Sequence, residues 1–158
     1  MPANPKSSFD LMPCHGTALR KAARRVTQMY EDALAQTGLR STQLAILLEL
    51  THRAENPPTM AELAEALVIE RSALGHTLRP LERDGLIRIV PTASDRRSKE
   101  LHVTAAGDKR LQAAFKEWTQ AQARFESAVG SGRASDLRAL LRAVTATEFG
   151  ARDDAVAR

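Results

Sequence analysis

Cysteine occurs once in this 158-residue chain, at Cys14. One thiol excludes an intrachain disulfide framework and a multi-cysteine zinc site. The four histidines, His15, His52, His76 and His102, stand far apart and never at metal-ligand spacing, so no metal is expected. No uninterrupted apolar stretch approaches the roughly 18–20 residues of a membrane span. The first fifteen residues carry Lys6 but no apolar block of signal-peptide length, so a cytoplasmic protein with no membrane partner is expected. A Gly-rich phosphate loop, HExxH and GxSxG are all absent, and no nucleophile–base or paired-carboxylate pattern emerges. The expectation is a protein that is not an enzyme and needs no cofactor.

The chain is a single domain's length, with 43% hydrophobic and 27% charged residues. It carries 23 Lys and Arg against 19 Asp and Glu, a net charge of +4, and its isoelectric point is near 9.7. That balance permits a polyanionic partner without establishing one. Pro2, Pro5 and Pro13 mark residues 1–13 as a flexible leader, ahead of one domain over 14–150 and a tail over 151–158.

Helical periodicity runs from Gly16 to Gln36, with Leu19, Ala22, Ala23, Val26, Met29, Tyr30 and Ala33 on one stripe and Arg20, Lys21, Arg24 and Arg25 outside it. Ser41 is placed to cap a second helix, whose Leu44, Ile46, Leu47, Leu48 and Leu50 mark it as central and buried. Thr59 and Glu62 form a capping box for a short helix. After Val68 and Ile69 comes a helix over Glu70–Asp84, with Leu74, Leu78 and Leu81 inward and Pro80 bending its last turn. Two strands, Leu86–Val90 and one around Leu101 and Val103, flank the polar segment Thr92–Ser98. A long helix follows Thr104 to about Val129, with Phe115 and Trp118 on its core stripe. Gly130–Gly132 reads as a turn, and Leu137, Leu140, Leu141 and Val144 align on a last helix over Ser135–Thr147.

The fold class is thus mainly α with a small β-hairpin: a helix-turn-helix, a wing, and terminal helices whose apolar stripes exceed the needs of so small a core. Such stripes usually pack on a partner. The face opposite Leu74, Leu78 and Leu81 presents Arg71, Ser72, Gly75, His76 and Arg79, groups of the size that reaches base edges and phosphates. The hairpin tip adds Asp95, Arg96, Arg97 and Lys99, suited to lie along a duplex backbone with an arginine in the minor groove. Between residues 71 and 99 seven cations meet three anions, so this stretch alone holds a net charge equal to that of the whole chain.

The segment from Met60 to Gly107 resembles the winged helix-turn-helix core of the MarR family of bacterial transcriptional regulators. The resemblance rests on Leu81-Glu82 ahead of Asp84-Gly85-Leu86-Ile87, the Asp95-Arg96-Arg97 tip, and the Leu101–Gly107 strand-to-helix junction. The flanks GTALRKAARRVTQMYEDAL and GLRSTQLAILLEL extend it over about residues 14–150. It implies a homodimer in which 14–36 and 105–150 are dimerisation helices and 41–104 is the winged helix-turn-helix lobe. It also implies binding to pseudo-palindromic double-stranded DNA, as a repressor released by a small aromatic or hydrophobic acid. Such an effector would touch Arg20, Met29 and Trp118. His76 departs from the pattern, since relatives often have arginine there. Cys14 lies where some MarR-like peroxide sensors place a reactive cysteine, which makes a redox-sensing repressor one alternative. A winged-helix protein-interaction module without DNA binding is the other.

Overall fold

The computed structural model describes residues 14–92 and 98–149. Its elements follow in the order α1 (His15–Leu34), α2 (Ser41–His52), α3 (Met60–Ala66), α4 (Arg71–Arg83), β1 (Ile87–Pro91), β2 (Lys99–Val103), α5 (Ala105–Val129) and α6 (Ser131–Ala146). The expected mainly helical fold with one hairpin is what forms. The leader, the tail and residues 93–97 lie outside the described residues.

The chain divides into two compact units, one up to Ala121 and one from Gln122 onward. In the first, α2 is the central helix, with Leu44, Ile46, Leu47 and Leu50 all buried. Around it gather Leu34, Leu63, Leu74, Leu78, Leu81, Leu86, Ile87, Leu101 and Leu111. The period-3.6 leucines of α4 therefore face the core, as their spacing requires. β1 and β2 pair antiparallel from Ile87 opposite Val103 to Pro91 opposite Lys99. A third, short strand position joins them: the Leu101 N–H donates to the Pro58 carbonyl at 2.9 Å, and Thr59 bridges Glu100.

Three local expectations change. Ser41 is the first residue of α2, not its cap. Its N–H and hydroxyl both donate to the Glu31 carboxylate of α1, at 2.8 and 2.5 Å, while Gln43 Oε1 accepts from the Arg40 N–H. A carboxylate from another helix thus replaces the local cap, a contact that no local pattern contains. Gly130 alone, at φ +94°, breaks the chain between α5 and α6; Ser131 and Gly132 already belong to α6. Phe115, expected inside, is 46% exposed and stacks obliquely on Trp118, ring centres 5.3 Å apart.

Among the described residues the apolar stripe of α1 is exposed at Leu19, Ala22 and Ala23 and half-buried at Val26, Met29, Tyr30 and Ala33. Only Leu34 of α1 is buried, at its C-terminal end. In the second unit α6 buries only Ala134 and exposes Leu137, Leu140, Leu141 and Val144. No described helix is long and apolar enough to cross a membrane.

Candidate nucleic-acid interface and effector pocket

The helix-turn-helix is built by reciprocal caps. The Glu62 N–H donates to Thr59 Oγ1 at 3.3 Å, and Glu62 Oε2 accepts from the Thr59 N–H at 2.7 Å, closing the expected capping box at the start of α3. Those hydrogen bonds from Thr59 hold the Glu62 carboxyl below the usual carboxylate range. At its other end α3 stops in a Schellman arrangement: the Val68 N–H donates to Glu65 and the Ile69 N–H to Ala64. The left-handed residue that this stop requires is Val68, at φ +52°, where glycine is the usual occupant.

α4 then starts at Arg71. At about 100° per residue, Arg71, Ser72, Gly75, His76 and Arg79 share an arc of about 140°, opposite the buried leucines. Arg71, Ser72, His76 and Arg79 are exposed and Gly75 half-buried. His76 Nδ1 and Arg79 Nη1 lie 3.5 Å apart, so the two polar heads sit together. A β-carbon on Gly75 would meet nothing within 4 Å. Internal packing therefore gives no reason for glycine there. Pro80 cannot donate to the His76 carbonyl, yet α4 continues through it to Arg83.

Arg83 falls on the same arc and was not singled out from the sequence, although it lies four residues after Arg79. Its Nε donates to Asp84 Oδ1 at 2.9 Å, and that hydrogen bond with the adjoining carboxylate raises the guanidinium pKa further. Its charge is thus partly answered within the chain.

The wing emerges from a closed hairpin, in which the Thr92 N–H donates to the Ser98 carbonyl at 2.9 Å. Lys99 is exposed at the first position of β2. Asp95, Arg96 and Arg97 lie outside the described residues. The base of the wing is fixed to α5 by Thr104. Its hydroxyl donates towards the Gly85 and Leu86 carbonyls at 2.6 and 3.1 Å and accepts from the Gly107 N–H at 3.1 Å. Gly107 is obligatory there, because a β-carbon would come within 2.1 Å of the Leu86 carbonyl oxygen.

Tyr30, Ser41, Leu44, Ala45, Leu48 and Trp118 line a small pocket of about 160 Å³. Of the three residues expected to meet an effector, only Trp118 lines it; Met29 is half-buried and Arg20 exposed, both on α1. Cys14, at the N-cap of α1, is exposed. Hydrogen bonding from the Thr17 hydroxyl, then from the Thr17 and Gly16 N–H groups, with the Arg20 charge nearby, holds its thiol below the ordinary range. Among the described residues no three His, Cys, Asp or Glu side chains come together to hold a metal.

Comparison with known proteins agrees with this architecture. The MarR family model matches residues 37–98. The transcriptional regulator MosR of M. tuberculosis, solved in complex with DNA, is 34% identical; the match covers 83% of this chain and 96% of MosR, with a TM-score of 0.71. The transcriptional repressor CouR, bound to a 23-mer DNA duplex, is 29% identical over 89% of this chain and 99% of its own, with a TM-score of 0.78. A structure of CouR from Rhodococcus jostii RHA1 with p-coumaroyl-CoA shares the fold at 18% identity, covering 92% of this chain and 100% of that one at a TM-score of 0.75. No curated protein sequence matches. A winged lobe with an uncommitted polar face on α4, and a relative one-third identical along almost its whole length, place this chain in the MarR family of transcriptional regulators.

Proposed function

We propose that the protein is a homodimeric, sequence-specific DNA-binding repressor, released from its operator by a small aromatic or hydrophobic acid. The observation that carries the reading is the outer face of α4. Arg71, Ser72, Gly75, His76 and Arg79 share one arc, and neither Arg71 nor Arg79 has an ion-pair partner among the described residues. Two guanidinium groups and a histidine presented together match what a helix in the major groove needs. Lys99, Arg96 and Arg97 would follow the flanking backbone, with Asp95 beside them to hold an arginine in place. Exposed Leu19 of α1 and Leu137, Leu140, Leu141 and Val144 of α6 supply apolar surface for a second copy, and the organisation into dimerisation helices around residues 41–104 belongs to this proposal. The Tyr30–Trp118 pocket, together with a CouR structure that holds an aromatic acyl thioester, supports an effector of that general kind.

Selection of bound duplexes from a random pool, repeated across salt concentrations, tests this reading. A two-fold related pair of half-sites about 10 bp apart should emerge. The logarithm of affinity should fall steeply against the logarithm of salt, by about 0.9 per phosphate neutralised. Enrichment of no sequence, with weak binding at every salt concentration, would favour the interaction-module reading instead.

A second reading has its own observation. The lowered pKa of Cys14, caused first by the Thr17 hydroxyl, gives the exposed thiol more thiolate character than an ordinary cysteine. A redox-responsive repressor would lose operator affinity on peroxide treatment and keep it in a Cys14→Ser variant.

A further inference from the structure

On the outer arc of α4 one pair of polar heads meets. His76 and Arg79 stand at i, i+3, neighbouring positions on a helix surface, and His76 Nδ1 lies 3.5 Å from Arg79 Nη1. A guanidinium has donors only, so the imidazole nitrogen is the acceptor. An accepting Nδ1 settles the tautomer: the ring proton sits on Nε2, which is left as a donor away from Arg79. The contact restrains one corner of the Arg79 fork and leaves its other N–H groups free. Both residues are exposed, and Gly75 puts no side chain on their flank.

No carboxylate shares this contact. The one acid within α4 is Glu82, and Asp84 at its end is taken by Arg83. Of the elements packed on α4, α3 carries Glu62 and Glu65, β1 carries Arg88, and α2 carries Glu49 and His52. Among the described residues none of these forms an ion pair with His76 or Arg79. Histidine is the side chain whose charge changes between about pH 5 and 8. Its second proton goes to Nδ1, the nitrogen that faces Arg79. The acceptor is then gone, and two cations are left 3.5 Å apart with no anion between them, so the pair must open.

The geometry points to His76 as a positioning residue for Arg79: the neutral imidazole steers that guanidinium and adds its own Nε2–H donor, so base discrimination by α4 belongs to the deprotonated pair and is lost in acid. This rests on the DNA-binding reading above and adds its regulation by protons. Guanine, with acceptors at N7 and O6 on its major-groove edge, is the base that two such donors fit. The imidazolium form exchanges that fit for one more positive charge, which any phosphate accepts.

The full-length protein is titrated with its selected operator and with a random duplex from about pH 8 to about pH 5.5, at fixed salt. The ratio of the two affinities should fall by about tenfold towards acid, as a base contact loosens in each half-site, while affinity for the random duplex rises. His76→Gln should hold one ratio across the range, because its amide oxygen can accept from Arg79 and its NH2 group can donate, and neither titrates. Arg79→Met should flatten the profile as well, since protonation of His76 then repels no neighbour. Both replacements suit exposed helical positions. A wild-type ratio that does not move with pH, a slope that survives in either variant, or operator and random affinities that fall in parallel would overturn the inference and leave the DNA-binding reading standing. Absence of any sequence preference at every pH would overturn both.

Discussion

Replacing Gly75 by alanine should move stability and DNA binding in opposite directions. Gly75 is the fifth of the thirteen residues of α4, well inside the helix. Glycine in a helix interior costs about 0.8–1 kcal/mol relative to alanine, because the unfolded chain is freer and no side chain packs. A new β-carbon would touch nothing within 4 Å, so no steric term offsets that gain. The free protein should therefore become more stable by about 1 kcal/mol, a rise in Tm of roughly 2–4 °C for a chain of this size. On the duplex the same methyl group stands in the middle of the proposed reading face, between Arg71 and Arg79. If the α4 backbone approaches the groove closely there, the extra volume forces the helix outward or strains its neighbours, at about 1–3 kcal/mol. That corresponds to a loss of roughly 5- to 150-fold in operator affinity. Thermal unfolding followed by circular dichroism reads the first effect, and fluorescence anisotropy with a labelled operator reads the second. A variant that is more stable and binds the operator as tightly as the wild type would refute close approach at this position. A variant that is less stable would refute the claim that the site is sterically open.

Gly107→Ala should act in the opposite way, costing about 1–3 kcal/mol or more, because its β-carbon would collide with the Leu86 carbonyl; unchanged urea unfolding would contradict the tight junction. Val68→Asn should raise stability by a few tenths to about 1 kcal/mol, since asparagine tolerates the left-handed backbone that Val68, 73% exposed, occupies without compensating burial. A fall in Tm would show that the valine side chain matters to the turn. The alkylation rate of Cys14 should follow a pH profile displaced to the acid side of an ordinary thiol, and Thr17→Val should move it back towards alkaline pH; superimposed profiles would refute the hydrogen-bond account. Changing Leu140 and Leu141 to glutamate should convert the proposed dimer to a monomer by light scattering and abolish operator binding, whereas a persistent dimer would place the interface elsewhere.

Much of this architecture was legible because its signals are local. The capping box at Thr59 and Glu62, the leucine period of α4 and the glycine after Asp84 each act within a few residues, and each set its element close to where it stands. The misreadings share a different origin. Ser41 looked like a cap until Glu31, ten residues earlier, took both its N–H and its hydroxyl. Phe115 looked like core because periodicity assigns a face without saying whether anything covers it. Glycine at 132 suggested a turn, yet a single break at Gly130 sufficed and the helix resumed at once. For the side chains proposed to face DNA, spacing alone identified the shared arc of α4. The pairing at its far end was not legible, because it depends on Asp84 closing on Arg83.

The Thr104 junction has a mechanical consequence. One side chain and one backbone N–H bind the turn after α4, the end of β2 and the first turn of α5 into a single knot, and Gly107 removes the clearance that would let the parts slide. A hairpin anchored in this way has no hinge at its base. Any tilt of the first turns of α5 would then be shared by the base of the hairpin, which the Thr104 bonds tie to it. In the proposed effector reading, the stiffness of that corner would decide how faithfully an event in the pocket is passed to the base of the wing.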